Sequence, residues 1–178
     1  MSIKCTPTKI PEVVVVEPLI FSDDRGYFLE LYHQAKFKDA GVFQEFVQDN
    51  FSRSTKNTLR GLHYQKRKPQ AKLVTALCGL IFDVAVDLRP QSPTFGNWVG
   101  ELLSGENKRQ MYIPAGFAHG FCVLSENAEV FYKCSDFYDP TDERGIRWSD
   151  PILQIAWPVQ SPIVSPKDRK LPFLQEVF

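Results

Sequence analysis

Residues 82–88 read "FDVAVDL", and their side chains alternate strictly between two kinds. On an extended strand, Asp83, Ala85 and Asp87 lie on one face and the larger apolar residues lie on the other. A period of two is typical of a strand that buries one face. The stretch therefore predicts a β-strand whose apolar face packs against a core.

Segments of similar composition lie on both sides of this strand. They are rich in β-branched and aromatic residues, and Pro, Gly, Asn and Ser separate them. Residues 33–41 ("HQAKFKDAG") and 165–176 ("SPKDRKLPFLQE") favour helix, and both are short. Many strands with almost no helix predict an all-β sandwich or barrel, such as a double-sheet jelly roll with a few short helices. The other strand-like segments are "EVVVVE", "GYFLELYH", "EFVQDNFS", "LRGLHYQ", "KLVTALCGL", "FGNWVGELL", "QMYIPAGF", "HGFCVLS" and "EVFYKCSDFY".

Length and charge limit the classes of function. A chain of 178 residues predicts one domain over residues 1–178. Lysine plus arginine equals aspartate plus glutamate, 21 each, so no net charge attracts the chain to nucleic acid or to an anionic membrane. The longest aliphatic run, residues 13–16, is too short to cross a bilayer, and no signal-peptide core precedes it. These features predict a cytoplasmic protein without nucleic-acid or membrane partners.

Cysteine and histidine spacing indicates neither a disulfide framework nor a metal site. The four cysteines are widely separated and form no CxxC pair, so buried or inert thiols are expected. Neither His63 nor His119 has a second histidine or a carboxylate at the short spacing of a β-barrel metal site. We therefore expect a metal-free site. The cysteines are Cys5, Cys78, Cys122 and Cys134.

His63 lies among cations in "RGLHYQKRKPQAK", residues 60–72. Strict strand alternation places Gly61 and His63 on one face and Arg60 on the other. Arg60 and His63 can therefore share a site only if Gly61 permits a bulge or the sheet curls sharply there. Lys72 begins the next strand pattern, where an isolated lysine is usually a solvated strand-end cation.

Other candidates are weak when each is considered alone. His119, in "IPAGFAHGF", shares a strand face with Phe121, and a core histidine is the favoured interpretation. Tyr132 and Tyr138 are six residues apart in "EVFYKCSDFYDP", where aromatic residues usually serve packing. Polar residues beside strand-like segments, which alone indicate loop ends facing solvent, are Arg25, Glu30, Gln48 and Asn50.

Seven motifs in a fixed order carry a resemblance that covers nearly the whole chain. The chain resembles the dTDP-4-dehydrorhamnose 3,5-epimerase family. The resemblance implies a jelly-roll, cupin-like fold, a homodimer, and catalysis without metal or organic cofactor. It also implies a substrate, dTDP-4-dehydro-6-deoxy-D-glucose, that is inverted at C3 and C5. The motifs are "DDRGYFLE", "VQDNFSRS", "LRGLHYQ", "VDLRPQSPTFGNW", "YIPAGFAHGF", "YKCSDFYDPTDERGIRW" and "VSPKD".

The resemblance also implies a role for each candidate residue. C3 and C5 flank the C4 ketone, so removal of either proton leaves an enolate, and inversion needs a base on one face and an acid on the other. His63 would be the base, oriented by Asp168, and Tyr132 the acid. Lys72 would stabilise the enolate oxygen, and Tyr138 would stack on thymine. The implied nucleotide-sugar-binding residues are Arg25, Glu30, Gln48, Asn50, Arg60, Lys72, His119, Glu143 and Lys167.

The segment "QKRKPQAK" departs from the family pattern. It lacks the usual proline pair, is one residue shorter, and has Ala71 in place of the usual glycine. Relatives with the same motifs invert only C3 or only C5, so a single-centre epimerase of another deoxysugar pathway is the alternative within this class. A metal-dependent cupin oxygenase and a non-catalytic sugar-nucleotide-binding jelly roll are the alternatives from other classes.

Overall fold

The computed structural model describes residues 3–178 and is almost entirely β. Residues 1 and 2, part of the single domain predicted over residues 1–178, lie outside the described residues. One helix of six residues, α1 (Gln34–Asp39), confirms the helix predicted within residues 33–41. The strands are β1 (Lys4–Pro7), β2 (Val14–Glu17), β3 (Ile20–Asp23), β4 (Gly26–Leu29), β5 (Gln48–Thr55), β6 (Thr58–Gln65), β7 (Lys72–Cys78), β8 (Leu80–Asp87), β9 (Trp98–Ser104), β10 (Gln110–Ile113), β11 (Phe117–Val123), β12 (Asn127–Cys134), β13 (Glu143–Gly145) and β14 (Ile163–Val164).

Two six-stranded sheets form the body of the fold. Sheet I has the order β1-β2-β10-β7-β12-β5, and sheet II has the order β13-β6-β11-β8-β9, with β14 pairing with β6. Strands β3 and β4 form a separate hairpin. Neighbours in the sheets are often distant in sequence, as expected when Greek-key connections cross between two packed sheets. The predicted double-sheet jelly roll is confirmed.

Apolar side chains from the two sheets meet in one core cluster. Val74 of β7 and Val130 of β12 come from sheet I, while Ala85 of β8 and Val123 of β11 come from sheet II. Full burial of one such valine contributes about 1.5–3 kcal/mol. This packing holds the two sheets face to face and fixes the distance between side chains on opposite sheets.

The strand predicted from residues 82–88 is present as β8, but both of its faces are buried. Val84 and Val86 face a second cluster that includes Leu153 and Leu174 from the C-terminal segment. The expectation of a single buried face was wrong, because the C-terminal segment covers the outer face of sheet II. Asp83 and Asp87 are completely buried on the other face. Such burial requires hydrogen-bond partners, which both carboxylates have.

The C-terminal segment predicted as helical forms two 3₁₀ turns, Asp168–Lys170 and Leu174–Glu176. Leu171 between them is extended, with φ −60° and ψ 144°. A proline disfavours α geometry in the residue before it, and Pro172 follows Leu171. The break at Leu171 therefore separates the turn that carries Asp168 from the turn that ends the chain.

A bulge at Gly61 interrupts the pairing of β6 with β11. His63 pairs with His119 and Arg60 pairs with Phe121, so β6 carries one extra residue at this point. Gly61 has φ +121°, and a Cβ atom there would lie 2.6 Å from the Gly120 Cα. Only glycine fits such a close approach at this φ. Of the two ways in which Arg60 and His63 could share a site, the bulge at Gly61 is confirmed.

Within residues 3–178, no helix combines the length and the apolar character that crossing a membrane requires.

Candidate active site

A cleft with two lobes lies where sheet I and sheet II contribute opposing side chains. The larger lobe is a cavity of about 620 Å³ and the smaller lobe one of about 310 Å³. His63, Lys72 and Tyr132 line both lobes, so the lobes meet at these three residues. His63 belongs to sheet II, whereas Lys72 and Tyr132 belong to sheet I. The cleft therefore presents a histidine on one wall and a tyrosine and a lysine on the other.

His63 is held by the buried carboxylate of Asp168. Its Nε2 lies 2.8 Å from Asp168 Oδ1, and the Gly61 N–H donates to Oδ2 at 3.2 Å. Burial alone would raise the pKa of Asp168. The hydrogen bond and the charge of His63, together with the hydrogen bond from the Gly61 N–H, outweigh the effect of burial and hold that pKa below its usual range. An ionised Asp168 accepts the Nε2 proton, which leaves the lone pair of His63 on Nδ1. Nδ1 is thus the proton-accepting atom.

His119 forms a second histidine–aspartate pair with Asp83 of β8. The Nε2 to Oδ1 distance is 2.7 Å, and the side chain of His119 is 6% exposed. Burial lowers the pKa of His119, against the opposing effect of Asp83. Asp83 Oδ2 is buried without a hydrogen-bond partner among residues 3–178. His119 lines the larger lobe, so it is both a buried histidine and a cleft residue.

Lys72 lies at the first position of β7, between Ile113 and Cys134 of the neighbouring strands. Burial lowers the pKa of Lys72, and electrostatic interactions with Cys134, Asp83 and Glu143 oppose this shift only in part. Within residues 3–178 its ammonium group has no salt bridge. An unpaired, desolvated cation is well suited to stabilise negative charge that develops in the cleft.

Tyr132 of β12 faces the cleft from sheet I. Its ring lies 6.4 Å from the ring of His119, measured between centroids. Burial raises the pKa of Tyr132, and Cys134 adds to the shift while Arg60 opposes it. The hydroxyl therefore stays protonated at neutral pH and can donate a proton into the cleft.

The smaller lobe contains a connected polar network around Tyr138. The Tyr138 hydroxyl donates to Glu143 Oε2 at 2.7 Å, and the Lys167 ammonium donates to the same oxygen. Gln48 Oε1 accepts the Tyr138 N–H at 2.8 Å, and Gln48 Nε2 donates to Asn50 Oδ1 at 3.0 Å. Burial raises the pKa of Glu143, but hydrogen bonds from Lys167 and Tyr138 outweigh it and lower that pKa. The network presents the Tyr138 ring at the edge of the cleft.

Eleven of the thirteen site residues predicted from sequence line the two lobes. Arg25 and Glu30 do not. Arg25 lies on the β3–β4 hairpin with its side chain 90% exposed and its guanidinium 2.6 Å from Asp23 Oδ2. Glu30 follows β4 and pairs with Lys36 of α1. The eleven lining residues are Gln48, Asn50, Arg60, His63, Lys72, His119, Tyr132, Tyr138, Glu143, Lys167 and Asp168.

Sequence reasoning missed several polar residues in or beside this site, and three of them bear on its chemistry. Asp83 was recognised as a strand residue, but its pairing with His119 depends on β8 lying beside β11. Cys134 lines the smaller lobe, and its Sγ accepts a hydrogen bond from Asn50 at 3.5 Å. It is two residues from Tyr132, so strand periodicity could have placed it on the same face. Gln65 lines the same lobe and shares the His63 face by the same rule.

The cysteines are all free thiols, as expected. Cys122 and Cys134 are buried, which agrees with the expectation of buried thiols, whereas Cys78 is exposed and Cys5 is half-buried. No group of three or more histidine, cysteine or acidic side chains within residues 3–178 could hold a metal ion. A metal-free site stays a prediction, which activity after exhaustive chelation would test.

A jelly roll whose cleft opposes a histidine–aspartate pair to a tyrosine and a lysine has the features of an acid–base enzyme acting at carbon. The family model described as dTDP-4-dehydrorhamnose 3,5-epimerase matches residues 7–176. The chain belongs to this family, which confirms the resemblance carried by the motifs. The family's members are epimerases and therefore isomerases.

Individual relatives agree with this assignment. A dTDP-4-dehydrorhamnose 3,5-epimerase from Pseudomonas aeruginosa is 60% identical over 169 residues, 94% of this chain and 93% of the relative. The structure of a dTDP-6-deoxy-D-glucose-3,5-epimerase from Legionella pneumophila, in complex with dTDP-4-keto-L-rhamnose, matches with a TM-score of 0.96 and 50% identity, covering 99% of this chain and 95% of that chain. A dTDP-4-dehydrorhamnose 3-epimerase from Streptomyces niveus is 41% identical over 172 residues, 96% of this chain and 83% of the relative.

Proposed function

We propose that the protein inverts C3 and C5 of dTDP-4-dehydro-6-deoxy-D-glucose and so forms dTDP-4-dehydro-L-rhamnose, the precursor of dTDP-L-rhamnose. One observation carries the proposal: His63 of sheet II, paired with Asp168 of the C-terminal segment, faces a protonated tyrosine and an unpaired lysine on sheet I. A sugar ring held between the sheets has a base on one face and an acid on the other.

The reaction proceeds in the same way at each carbon. His63 Nδ1 removes the proton next to the C4 ketone, and Asp168 stabilises the imidazolium that forms. The Lys72 ammonium stabilises the enolate oxygen at C4. Tyr132 then donates its hydroxyl proton to the opposite face of the carbon, which inverts it. Solvent restores the protonation states of His63 and Tyr132 before the second carbon reacts.

The nucleotide part of the substrate is assigned to the remaining cleft residues. Tyr138 presents its ring for stacking on thymine, since aromatic rings pack on the faces of bases. Arg60 and Lys167 line the larger lobe and supply the local cations that an anionic diphosphate needs in a chain of zero net charge. The complex of the relative from Legionella pneumophila with a dTDP-sugar supports this substrate class.

The experiment that tests the proposal is NMR of the 4-keto substrate incubated with the protein in D₂O. Deuterium at both C3 and C5, with conversion to the L-rhamno configuration, is expected. A single-centre epimerase is the second candidate, since the Streptomyces niveus relative is a 3-epimerase. Deuterium and inversion at one carbon would support that candidate, and exchange at neither carbon would contradict both.

The charge of Lys72 predicts an alkaline limit to activity. Burial holds the pKa of Lys72 below its usual range, so its ammonium loses its proton at a lower pH than the ammonium of an exposed lysine. The enolate then no longer has a cation to stabilise it. The rate is therefore expected to fall as pH rises through this lowered pKa. Arginine stays charged throughout this range, so Lys72→Arg should move the alkaline limb to higher pH. A pH–rate profile measures both.

Lys72→Met, which removes the charge, is the matched control for Lys72→Arg, which keeps it. Loss of one preorganised donor at an oxyanion costs about 10²-fold in rate, or roughly 3 kcal/mol. Lys72→Met should therefore lower the rate by about this factor at neutral pH, and the alkaline limb should disappear. An alkaline limb that persists in Lys72→Met would assign it to another group.

A homodimer completes the site in this proposal. Arg25 and Glu30, assigned to substrate binding, lie outside the cleft of their own chain, on or beside the β3–β4 hairpin. Phe21, Tyr27 and Phe28 of that hairpin are exposed, Phe28 by 66%. A second copy of the chain would cover these rings and receive Arg25 and Glu30 in its own cleft, since a two-fold interface exchanges the same element in both directions.

A mixed dimer tests this exchange. Arg25→Ala and His63→Ala should each inactivate the homodimer, and a refolded equal mixture should regain about a quarter of the wild-type sites, because half of the dimers are mixed and each has one intact cleft. If Arg25 serves its own chain's cleft, no mixed dimer contains an intact site and the mixture stays inactive. Mixing Arg25→Ala chains with Tyr132→Phe chains, which should form little product, provides the same comparison with a second partner. Mixing His63→Ala with Tyr132→Phe chains is the negative control, since both residues serve the cleft of their own chain and no cleft of the mixed dimer is intact.

The cytoplasmic location and the absence of nucleic-acid and membrane partners stay predictions from the sequence.

A further inference from the structure

Tyr138 lies in an irregular segment that has no strand ladder of its own. Residues 135–142 connect β12 to β13 without regular secondary structure. Tyr138 itself is 49% exposed, so packing alone does not fix its ring. A base-stacking ring that moved freely would lose affinity, because ordering it on binding costs conformational entropy. Something other than the sheet must hold this segment.

The carboxamide of Gln65 at the end of β6 holds the backbone on both sides of Tyr138. Gln65 Oε1 accepts the Asp139 N–H at 2.6 Å, and Gln65 Nε2 donates to the Phe137 carbonyl at 3.3 Å. The second Nε2 hydrogen is donated to the Lys68 carbonyl at 3.0 Å. One amide thus connects the residue before Tyr138, the residue after it, and the basic segment that follows β6.

Gln65 has little capacity left to contact a ligand. It is 4% exposed, and both of its donor hydrogens and one acceptor position are used by backbone groups. Across the strand pair, Gln65 is opposite Glu143, the residue that accepts the Tyr138 hydroxyl. Gln65 therefore holds the backbone on both sides of Tyr138, while its cross-strand neighbour Glu143 holds the Tyr138 hydroxyl.

We infer that Gln65 is a positioning residue for nucleobase recognition: its amide fixes the 137–139 backbone so that the Tyr138 ring is preorganised to stack on the base of the substrate. The inference rests on the proposed function, in which that base is thymine. It separates binding of the base from proton transfer, because the catalytic residues are held by other contacts, such as the Asp168 hydrogen bond to His63.

Gln65→Met tests the inference, since methionine has a similar length but neither donor nor acceptor. The dissociation constant of dTDP, measured by calorimetry, should rise about tenfold, within the range that one base–aromatic stack supplies. The dissociation constant of inorganic pyrophosphate, which has no base, should stay unchanged. For the dTDP-sugar substrate, KM should rise while kcat stays near the wild-type value.

A double-mutant cycle shows whether Gln65 acts through Tyr138. In a Tyr138→Ala background, Gln65→Met should cause no further loss of dTDP affinity, because there is no ring left to position. Asp150→Ala is the matched control: its buried carboxylate accepts the N–H groups of Ile152, Leu153 and Leu174, and it lines neither lobe. It should lower the melting temperature and leave dTDP affinity unchanged.

Gln65→Glu provides a second variant if the methionine variant does not fold. The new carboxylate can still accept the Asp139 N–H, but it places negative charge against the carbonyl oxygens of Phe137 and Lys68. Protonation restores a donor, so dTDP affinity relative to wild type at the same pH should recover as pH falls from about 7 to about 5. Constant relative affinity would overturn the inference.

Three results would overturn the inference for Gln65→Met. These are unchanged dTDP affinity, equal weakening of dTDP and pyrophosphate, and a loss that adds fully to that of Tyr138→Ala. Failure of the wild-type protein to bind dTDP would instead overturn the proposed function, and this inference with it.

Discussion

His63→Ala is expected to abolish solvent-deuterium exchange at both C3 and C5 of the substrate. In the proposed reaction each exchange begins with proton removal by the same base, and no carbon acid next to a ketone loses its proton quickly without one. A positioned general base contributes about 10²–10⁴-fold, so exchange should fall by at least the lower factor at both carbons. Proton NMR in D₂O follows the two signals separately.

Asp168→Asn distinguishes the base from its orientation. Asparagine fits the same space beside His63 and Gly61, but it lacks the charge that stabilises the imidazolium and can donate instead of accept at Nε2. Exchange should therefore fall in Asp168→Asn at both carbons by the same factor. Undiminished exchange in His63→Ala would remove His63 as the base, and the second histidine–aspartate pair, His119 with Asp83, would be the next candidate.

The strand pattern of residues 82–88 shows what local sequence can and cannot predict. Alternation located β8 correctly, because a period of two reflects the geometry of a single strand. It could not show that the C-terminal segment covers the second face, since that contact joins residues more than 60 positions apart, such as Val84 and Leu153. Likewise, Asp83 meets His119 only because β8 and β11 are neighbours.

The site shows the same difference between what the sequence can and cannot predict. Motif resemblance identified eleven residues that line one cleft, although strands of two different sheets and two irregular segments carry them. Strict alternation places Arg60 and His63 on opposite faces of the strand. The bulge that resolves this conflict could also be predicted from the sequence, because glycine is the residue that permits a bulge. The position of Arg25 and Glu30 outside the cleft of their own chain could not be predicted, since residue identity carries no information on where a hairpin lies relative to the two sheets.

Tyr132→Phe is expected to impair inversion far more than exchange. Proton removal needs only His63 and a stabilised enolate, and both remain in this variant. Inversion also needs a donor on the opposite face, which phenylalanine lacks, so product formation should fall by about 10²–10⁴-fold. The substitution preserves the ring that packs against the core, so the melting temperature should change little. Deuterium incorporation and product formation are measured in the same NMR experiment.

The position of the incorporated deuterium makes this test specific. An enolate formed without a donor on the far face is reprotonated by His63 from the face that it left, and deuterium then enters with retention of configuration once the His63 proton has exchanged with solvent. Burial raises the pKa of Tyr132, so in the wild-type protein the hydroxyl is protonated and competes for the enolate across the neutral range. Full inversion by Tyr132→Phe would assign the acid to another group, either Tyr138 or a bound water. Equal loss of exchange and inversion would mean that Tyr132 acts in forming the enolate rather than in trapping it.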